Sequence, residues 1–211
     1  MSSSPAFEIA LRHRFGQSEV ALDAVCAAPL TALVGPSGIG KTTVLNCIAG
    51  LLTPAEGRIA VGGRILFDSA AGVNLPPEAR RAGYVFQSGR LFPHKRVAAN
   101  LAFGEALHRA EERWISREEV VDFLGIGQLL DRWPATLSGG EVRRVAIGRA
   151  LLAAPRFLLL DEPLTSLDAA RGEEILRVVE RIRDELALPV LHVSHSAGEV
   201  ERLTDSVIAL G

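Results

Sequence analysis

The chain has 211 residues, of which 48% are hydrophobic and 23% charged, and its formal net charge is −2. That length suits one α/β domain with a sizeable core, and that composition excludes long disorder. The near-neutral balance leaves no electrostatic footprint for nucleic acid, and no apolar run approaches the roughly 18 residues needed to span a bilayer.

The first residues, Met1-Ser2-Ser3-Ser4-Pro5, lack the basic region followed by an apolar one that marks a secretory signal. A soluble, cytoplasmic chain is expected, with any membrane link made through a partner. In that compartment Cys26 and Cys47 are expected as packed thiols, not a disulfide. Of the 23 basic residues only Lys41 and Lys95 are lysines.

Phe7, Ile9 and Leu11 alternate with Glu8, Ala10 and Arg12, a period of two that predicts a strand. Residues 6–34 as a whole read as strands, the last being the short apolar run Thr31-Ala32-Leu33-Val34. A helix is predicted from Thr42 to Ile48, with Gly50 as its C-cap. Residues 57–61 and 64–67 flank Gly62-Gly63, a two-residue hairpin signal. Tyr84-Val85-Phe86 reads as another strand. From 88 to 136 charges cluster, as at Arg109, Glu111, Glu112, Arg113, Arg117, Glu118 and Glu119. Short helical patterns dominate there, which predicts a helical insertion into the α/β core. A strong helix is predicted from Glu141 to Ala153, then the buried strand Phe157-Leu158-Leu159-Leu160. Ile175, Val179, Ile182 and Leu186 repeat at helical spacing, predicting an amphipathic helix over 170–187. Its wet side pairs Glu173 with Arg177 and Arg181 with Glu185. Strands at 190–193 and 206–210 complete the pattern.

Gly35-Pro36-Ser37-Gly38-Ile39-Gly40-Lys41-Thr42 follows a strand and opens a helix, the context that makes such a run a P-loop. Its glycines let backbone N–H groups turn inward as an anion nest, and the positive end of the helix dipole faces the same place. Lys41 offers a point charge to the β- and γ-phosphates of a nucleoside triphosphate, and Thr42 offers a hydroxyl to Mg²⁺. Thr43 completes the phosphate-binding set. Asp161 ends an apolar strand, so its carboxylate emerges at the C-terminal edge of the sheet, where ligands bind in such folds. That suits a Walker B aspartate holding Mg²⁺, directly or through water. Glu162 is placed to accept a proton from the attacking water, a role worth roughly 10²–10⁴-fold in rate. Ser138-Gly139-Gly140 is a second anion site: Ser138 has the chemistry of an N-cap, and the glycines leave their N–H groups bare.

Leu137-Ser138-Gly139-Gly140-Glu141, between the P-loop and Asp161-Glu162, resembles the signature sequence of ATP-binding cassette (ABC) ATPases. The resemblance covers about residues 7–211. It implies an α/β P-loop NTPase fold of the ABC type, with an antiparallel β subdomain and the helical insertion at about 88–136. The whole of 1–211 is then a single ATPase domain. It also implies that the signature of one copy grips the γ-phosphate of ATP held by another, so that a head-to-tail homodimer makes two composite sites. Ser166-Leu167-Asp168 matches the D-loop that crosses that interface. By the same resemblance Gln87 is the Q-loop glutamine, touching Mg²⁺ and the water, and His195 is the switch histidine at the γ-phosphate. Phe15 is expected to stack on adenine, with a core phenylalanine as the alternative.

Within the family, Arg80 to Gln87, Arg90-Leu91-Phe92-Pro93-His94 and the 137–151 stretch are similar to importer ATPases for inorganic oxyanions, molybdate importers above all. This implies an ATP-binding subunit, peripheral on the inner face of the cell membrane, that powers integral-membrane permease subunits. A periplasmic solute-binding protein serves it indirectly, and no nucleic acid is involved. The alternative is the ATPase of another ABC system, either a different anion importer or an exporter. Leu91, Phe92 and Pro93 are candidates for the permease-facing surface, or else pack the insertion. Val142 stands where the family usually has a basic residue, and Glu141 where glutamine is commoner, the latter as in the molybdate group. That group commonly carries a C-terminal oxyanion-binding regulatory domain; the present sequence stops at Gly211, after the nucleotide-binding core.

Overall fold

The computed structural model describes residues 4–15 and 18–211, apart from the side chains of Phe15, Ser18 and Ala110. In chain order the elements are β1 (Phe7–Phe15), β2 (Ser18–Cys26), β3 (Leu30–Val34), α1 (Lys41–Ala49), β4 (Glu56–Val61), β5 (Arg64–Asp68), β6 (Val73–Asn74), α2 (Pro77–Arg80) and β7 (Ala82–Val85). They continue with α3 (Val97–Glu105), α4 (Arg117–Leu124), α5 (Gly139–Leu152), β8 (Phe157–Asp161), α6 (Ala169–Glu185), β9 (Val190–Val193), α7 (Ala197–Leu203) and β10 (Val207–Ala209).

Two five-stranded sheets result, in the orders β2-β1-β4-β5-β6 and β10-β3-β9-β8-β7. The first is antiparallel throughout, with Gly62-Gly63 turning β4 into β5 as expected. The second is parallel throughout, with Leu33 opposite Val193 and Asp161 opposite Val193. All its strands therefore end on one edge. The P-loop, Gln87, Glu162 and His195 each leave the sheet at that edge.

The parallel sheet is buried on both faces, as such sheets are. Successive residues of β8 point to opposite sides, a strand's period of two. Leu158 and Leu160 join Leu101, Val145, Ile175 and Val179 of the helical layer. Leu159 joins Leu45 and Ile48 of α1 and Phe7, Ile9 and Leu66 of the antiparallel sheet. α1 is thus sandwiched between the two sheets. Val97, Leu101, Val120 and Leu124, from the 88–136 stretch, share the first cluster with β8 and α5.

Several boundaries differ from the sequence reading. β7 ends at Val85, and the Phe86 ring turns to stack on Tyr84 at 4.0 Å between centroids. α5 starts at Gly139 and ends at Leu152, not Glu141 and Ala153. Ser138 and Glu141 form a complete capping box there, which satisfies the Ser138 and Glu141 N–H groups and lets two glycines serve as the first turn. The two-residue β6 and the one-turn α2 were too short to show a periodicity. The helix pairs Glu173–Arg177 and Arg181–Glu185 form as expected, at 2.9 and 2.8 Å. Arg202 adds ion pairs from α7 to Glu173 and Glu180 of α6.

The far end of α1 is clamped. Gly50 caps it in the left-handed region, at φ 81, as expected. Arg80, 1% exposed, donates Nη1 to the carbonyls of Cys47 (2.7 Å) and Ile48 (3.0 Å), Nε to Leu75 O (2.8 Å) and Nη2 to Asn74 Oδ1 (2.8 Å). A Cβ at Gly50 would lie 2.6 Å from Arg80 Nε, so glycine is also needed for space. Cys26 and Cys47 are buried and free. Among the described residues no helix is long and apolar enough to cross a membrane.

Candidate functional site

The P-loop joins β3 to α1 and is anchored from below. A Cβ on Gly40, at φ 114, would meet Val20 Cγ2 at 2.2 Å, so the loop's last turn admits only glycine. Pro36, Ser37 and Gly38 are exposed, and Ile39 packs against the α1-side core. Lys41 is 5% exposed; its Nζ donates to the carbonyls of Gly35 (2.8 Å) and Pro36 (3.0 Å) and lies 4.0 Å from Glu162 Oε1. Thr43, one residue on, is half-buried.

Thr42 Oγ1 donates to Asp161, 3.0 Å from Oδ2 and 3.2 Å from Oδ1. Burial pushes the Asp161 carboxyl up; the Thr42 hydroxyl pulls it down, and the adjacent Glu162 charge raises it again. A hydroxyl and a carboxylate side by side are hard oxygen donors, the set that Mg²⁺ prefers. The residues present fit that ion.

Glu162 is the hub. Its Oε2 accepts from Thr165 Oγ1 at 3.0 Å and Gln87 Nε2 at 3.4 Å, and His195 Nδ1 lies 3.7 Å away. Its backbone is left-handed at φ 46, a conformation that costs free energy in a residue with a side chain. Such strain persists where the surroundings over-determine it, and here the turn closes with Thr165 N donating to Glu162 O at 3.2 Å. A cleft of about 440 Å³ opens beside this hub, lined by Thr42, Asn46, Gln87, Arg143, Asp161 and Ser166. His195 stands at the turn between β9 and α7, with its side chain 61% exposed.

The structure thus brings Lys41, Thr42, Gln87, Asp161, Glu162 and His195 together. It does not bring Ser138, Gly139 and Gly140 to them: among the described residues none of the three hydrogen-bonds to the P-loop. Ser138 is occupied by its capping box, its N donating to Glu141 Oε2 at 2.6 Å and its Oγ accepting from Glu141 N at 3.3 Å. Gly139 faces solvent, and Leu167 Cδ2 would lie 2.7 Å from a Cβ placed on it. The signature turn therefore abuts the Ser166-Leu167-Asp168 segment, whose Asp168 caps α6. The Phe15 side chain lies outside the described residues.

Four residues join the site that sequence reasoning did not single out. Tyr84 Oη donates to Asn46 Oδ1 at 3.1 Å and lies 3.5 Å from Asp161 Oδ2. Asn46 sits four residues after Thr42 on α1, the same helix face, so spacing held the signal. Thr165 follows Glu162 within one turn. Arg143 is buried on α5 and its Nε donates to Pro163 O at 3.0 Å, a placement that nothing in its own stretch announces.

Comparison with known proteins agrees with this geometry. Residues 24–165 match the family described as ABC transporter. The chain is 55% identical over 198 residues to the molybdenum import ATP-binding protein ModC of Mesorhizobium japonicum, covering 94% of this chain and 54% of that protein. It is 54% identical over 200 residues to the protein of the same description from Paramagnetospirillum magneticum, covering 95% and 55%. The chain therefore spans about half the length of these relatives. Among solved structures, cbiO1 of Clostridium perfringens, part of the ABC transporter complex cbiONQ, superposes with a TM-score of 0.81 at 24% identity, over 98% of this chain and 85% of that one. The ATP-binding cassette MJ0796, a dimer in a post-hydrolysis state with ADP and Pi, superposes with a TM-score of 0.74 at 26% identity, over 99% and 93%. The chain belongs to the ABC transporter family, and its fold is that of the family's ATP-binding cassettes.

Proposed function

We propose that this chain binds and hydrolyses ATP as the nucleotide-binding subunit of an importer for molybdate or a related oxyanion. One observation carries the reading: Lys41 of the phosphate loop, Gln87 and His195 gather on the single carboxylate of Glu162, next in the chain to the Asp161 that pairs with the Thr42 hydroxyl. The P-loop N–H groups and Lys41 bind the β- and γ-phosphates. Thr42, Asp161 and Gln87 would hold Mg²⁺, which when bound neutralises charge on the phosphate oxygens. Glu162 accepts the proton of the attacking water as the new oxygen–phosphorus bond forms and the bond to ADP breaks. Gln87 and His195 keep that water and the γ-phosphate in line. Phe15 stacks on the adenine.

The bare N–H groups at Gly139 and Gly140 have no phosphate of their own chain to meet. A homodimer supplies one: each signature turn caps the γ-phosphate of the ATP held by the partner. The dimeric state of MJ0796 supports that arrangement. Residues 1–211 act as one ATPase domain, with about 88–136 as the helical insertion.

That insertion carries the permease contact. A groove of about 320 Å³ is lined by Phe86, Arg90, Phe92, Phe103, Leu107 and Arg149, and Phe103 and Leu107 are exposed. Leu91 instead packs on the core. An integral-membrane permease seated there would hold the chain on the inner face of the membrane, fed by a periplasmic binding protein. The description of the two ModC relatives supports molybdate as the solute.

Two experiments test the reading. Glu162→Gln is expected to bind ATP-Mg²⁺, to lose roughly 10²-fold or more in turnover and to dimerise with ATP on size exclusion. A variant that stays monomeric at saturating ATP-Mg²⁺ and hydrolyses normally overturns the composite site. Reconstituted with its permease and binding protein, the ATPase is expected to be stimulated by molybdate or tungstate. Stimulation by a different solute alone refutes the oxyanion assignment.

A further inference from the structure

Beneath His195 lies a second imidazole that the proposed reaction does not use. His192, on β9, is fully buried, and neither ring nitrogen has a hydrogen-bond partner. Its Nε2 is 3.8 Å from Glu199 Oε2 on α7, just beyond hydrogen-bond reach. The same carboxylate oxygen accepts a 2.7 Å hydrogen bond from Ser194 Oγ. Ser194, itself buried, accepts from Ser196 N at 3.0 Å, and Ser196 Oγ accepts from Glu199 N at 3.4 Å. His195 is the residue between those two serines. Among the described residues the serines on either side of His195 are thus both tied to Glu199, one to its carboxylate and one to its N–H.

Burial pushes the Glu199 carboxyl up, but His192 and Ser194, and then the charge of His195, outweigh it and hold it below the ordinary glutamate value. A buried imidazole without a partner is costly, and folds retain few such groups. Here the nearest acidic group to that imidazole is the carboxylate that organises the histidine turn.

We propose that Glu199 is a positioning residue for His195, and that His192 is the buried group that steadies the Glu199 carboxylate. The inference rests on the reading of His195 as the γ-phosphate contact. The His195 side chain is mostly exposed, so no packing fixes it. Its 3.7 Å approach to Glu162 Oε2 is set by the turn beneath it. A misplacement of about 1 Å costs up to about 10²-fold in rate.

The test compares the wild-type chain with Glu199→Gln, Ser194→Ala, His192→Leu, His195→Ala and the double variant Glu199→Gln/His195→Ala. Turnover and equilibrium ATP affinity are measured, and the histidine ring resonances are followed by NMR. Glu199→Gln and His192→Leu are expected to lower kcat by about tenfold or more, with ATP affinity within about twofold. The double variant is expected to be no slower than His195→Ala. In Glu199→Gln the His192 and His195 signals shift, while those of His13, His94 and His108 stay. Should His192→Leu fail to fold, Ser194→Ala carries the comparison. Wild-type kcat and an unmoved His195 signal in Glu199→Gln overturn the proposal, as does a double variant slower than His195→Ala by the full Glu199→Gln factor. Normal turnover by His195→Ala refutes instead the role given to His195, and the NMR comparison still decides whether Glu199 holds that ring.

Discussion

Replacing Arg80 by alanine removes the clamp on the far end of the P-loop helix. Four hydrogen bonds of 2.7–3.0 Å from one guanidinium are lost, two of them to the last carbonyls of α1. Hydrogen bonds from a charged donor contribute about 1.5–3 kcal/mol each. Against that sum stands the cost of burying the cation, which is felt as a guanidinium made less basic by burial. Each buried acceptor left without its donor costs about 1–3 kcal/mol, and with the cation's burial cost recovered a net loss of about 3–5 kcal/mol is expected here. It is a large share of a domain's usual total of about 5–15 kcal/mol. At about 2–4 °C per kcal/mol for a chain of this size, the melting temperature should fall by about 6–20 °C. Urea unfolding followed by the fluorescence of Trp114 and Trp133 measures it. Arg80→Lys should recover at most half, because one ammonium cannot span four acceptors on two segments. A loss below about 1 kcal/mol for Arg80→Ala would refute the clamp.

Burial pushes the Cys47 thiol up to about 11, above its unfolded value of about 8.5. The protonated thiol's contribution is whole below that unfolded value and is lost as pH rises towards 11, so wild type should lose more stability than Cys47→Ala between pH 9 and 11. Parallel pH curves for the two would count against it. Tyr84→Phe leaves Asn46 Oδ1 without its donor and should cost about 1 kcal/mol in chemical denaturation; an unchanged midpoint contradicts the hydrogen bond. Ser138→Ala removes the N-cap of α5 and should cost about 1 kcal/mol. The Ser138 N–H holds the Glu141 carboxyl below the ordinary glutamate value, so that part of the cap is present above that value and lost as pH falls through the lowered one. Glu141→Gln should therefore flatten the acid limb of the stability curve, and an unaltered limb would exclude the capping role.

The parts of the site that a linear reading captured are those whose chemistry is local. The P-loop needs only a strand, a turn and a helix in succession. Asp161-Glu162 needs only an apolar strand that stops. Ser138 announces its capping box through Glu141, three residues on. The parts that stayed hidden depend on register and packing. Tyr84 reaches Asp161 because β7 and β8 align with Val85 opposite Leu160, and no pattern within either strand encodes that pairing. Arg80 reads as one arginine in a polar stretch, yet it ends fully buried because β6 and α2 fold it against α1. His192 sits in an apolar strand, and only the return of α7 across the sheet edge brings Glu199 to it. The fold was legible for the same reason in reverse: its longer elements bury one face or both, and burial leaves a period.

Lysine scarcity makes the molecule simple to footprint. Lys41 is enclosed by the carbonyls of Gly35 and Pro36, and Lys95 lies half-buried with its Nζ 5.9 Å from the Phe92 ring centre. An acylating reagent meets only these two side-chain amines in the sequence. On the function proposed above, Lys41 is expected to be protected by nucleotide and Lys95 by a partner seated at Phe92, so a single footprinting digest reads the two surfaces as independent channels.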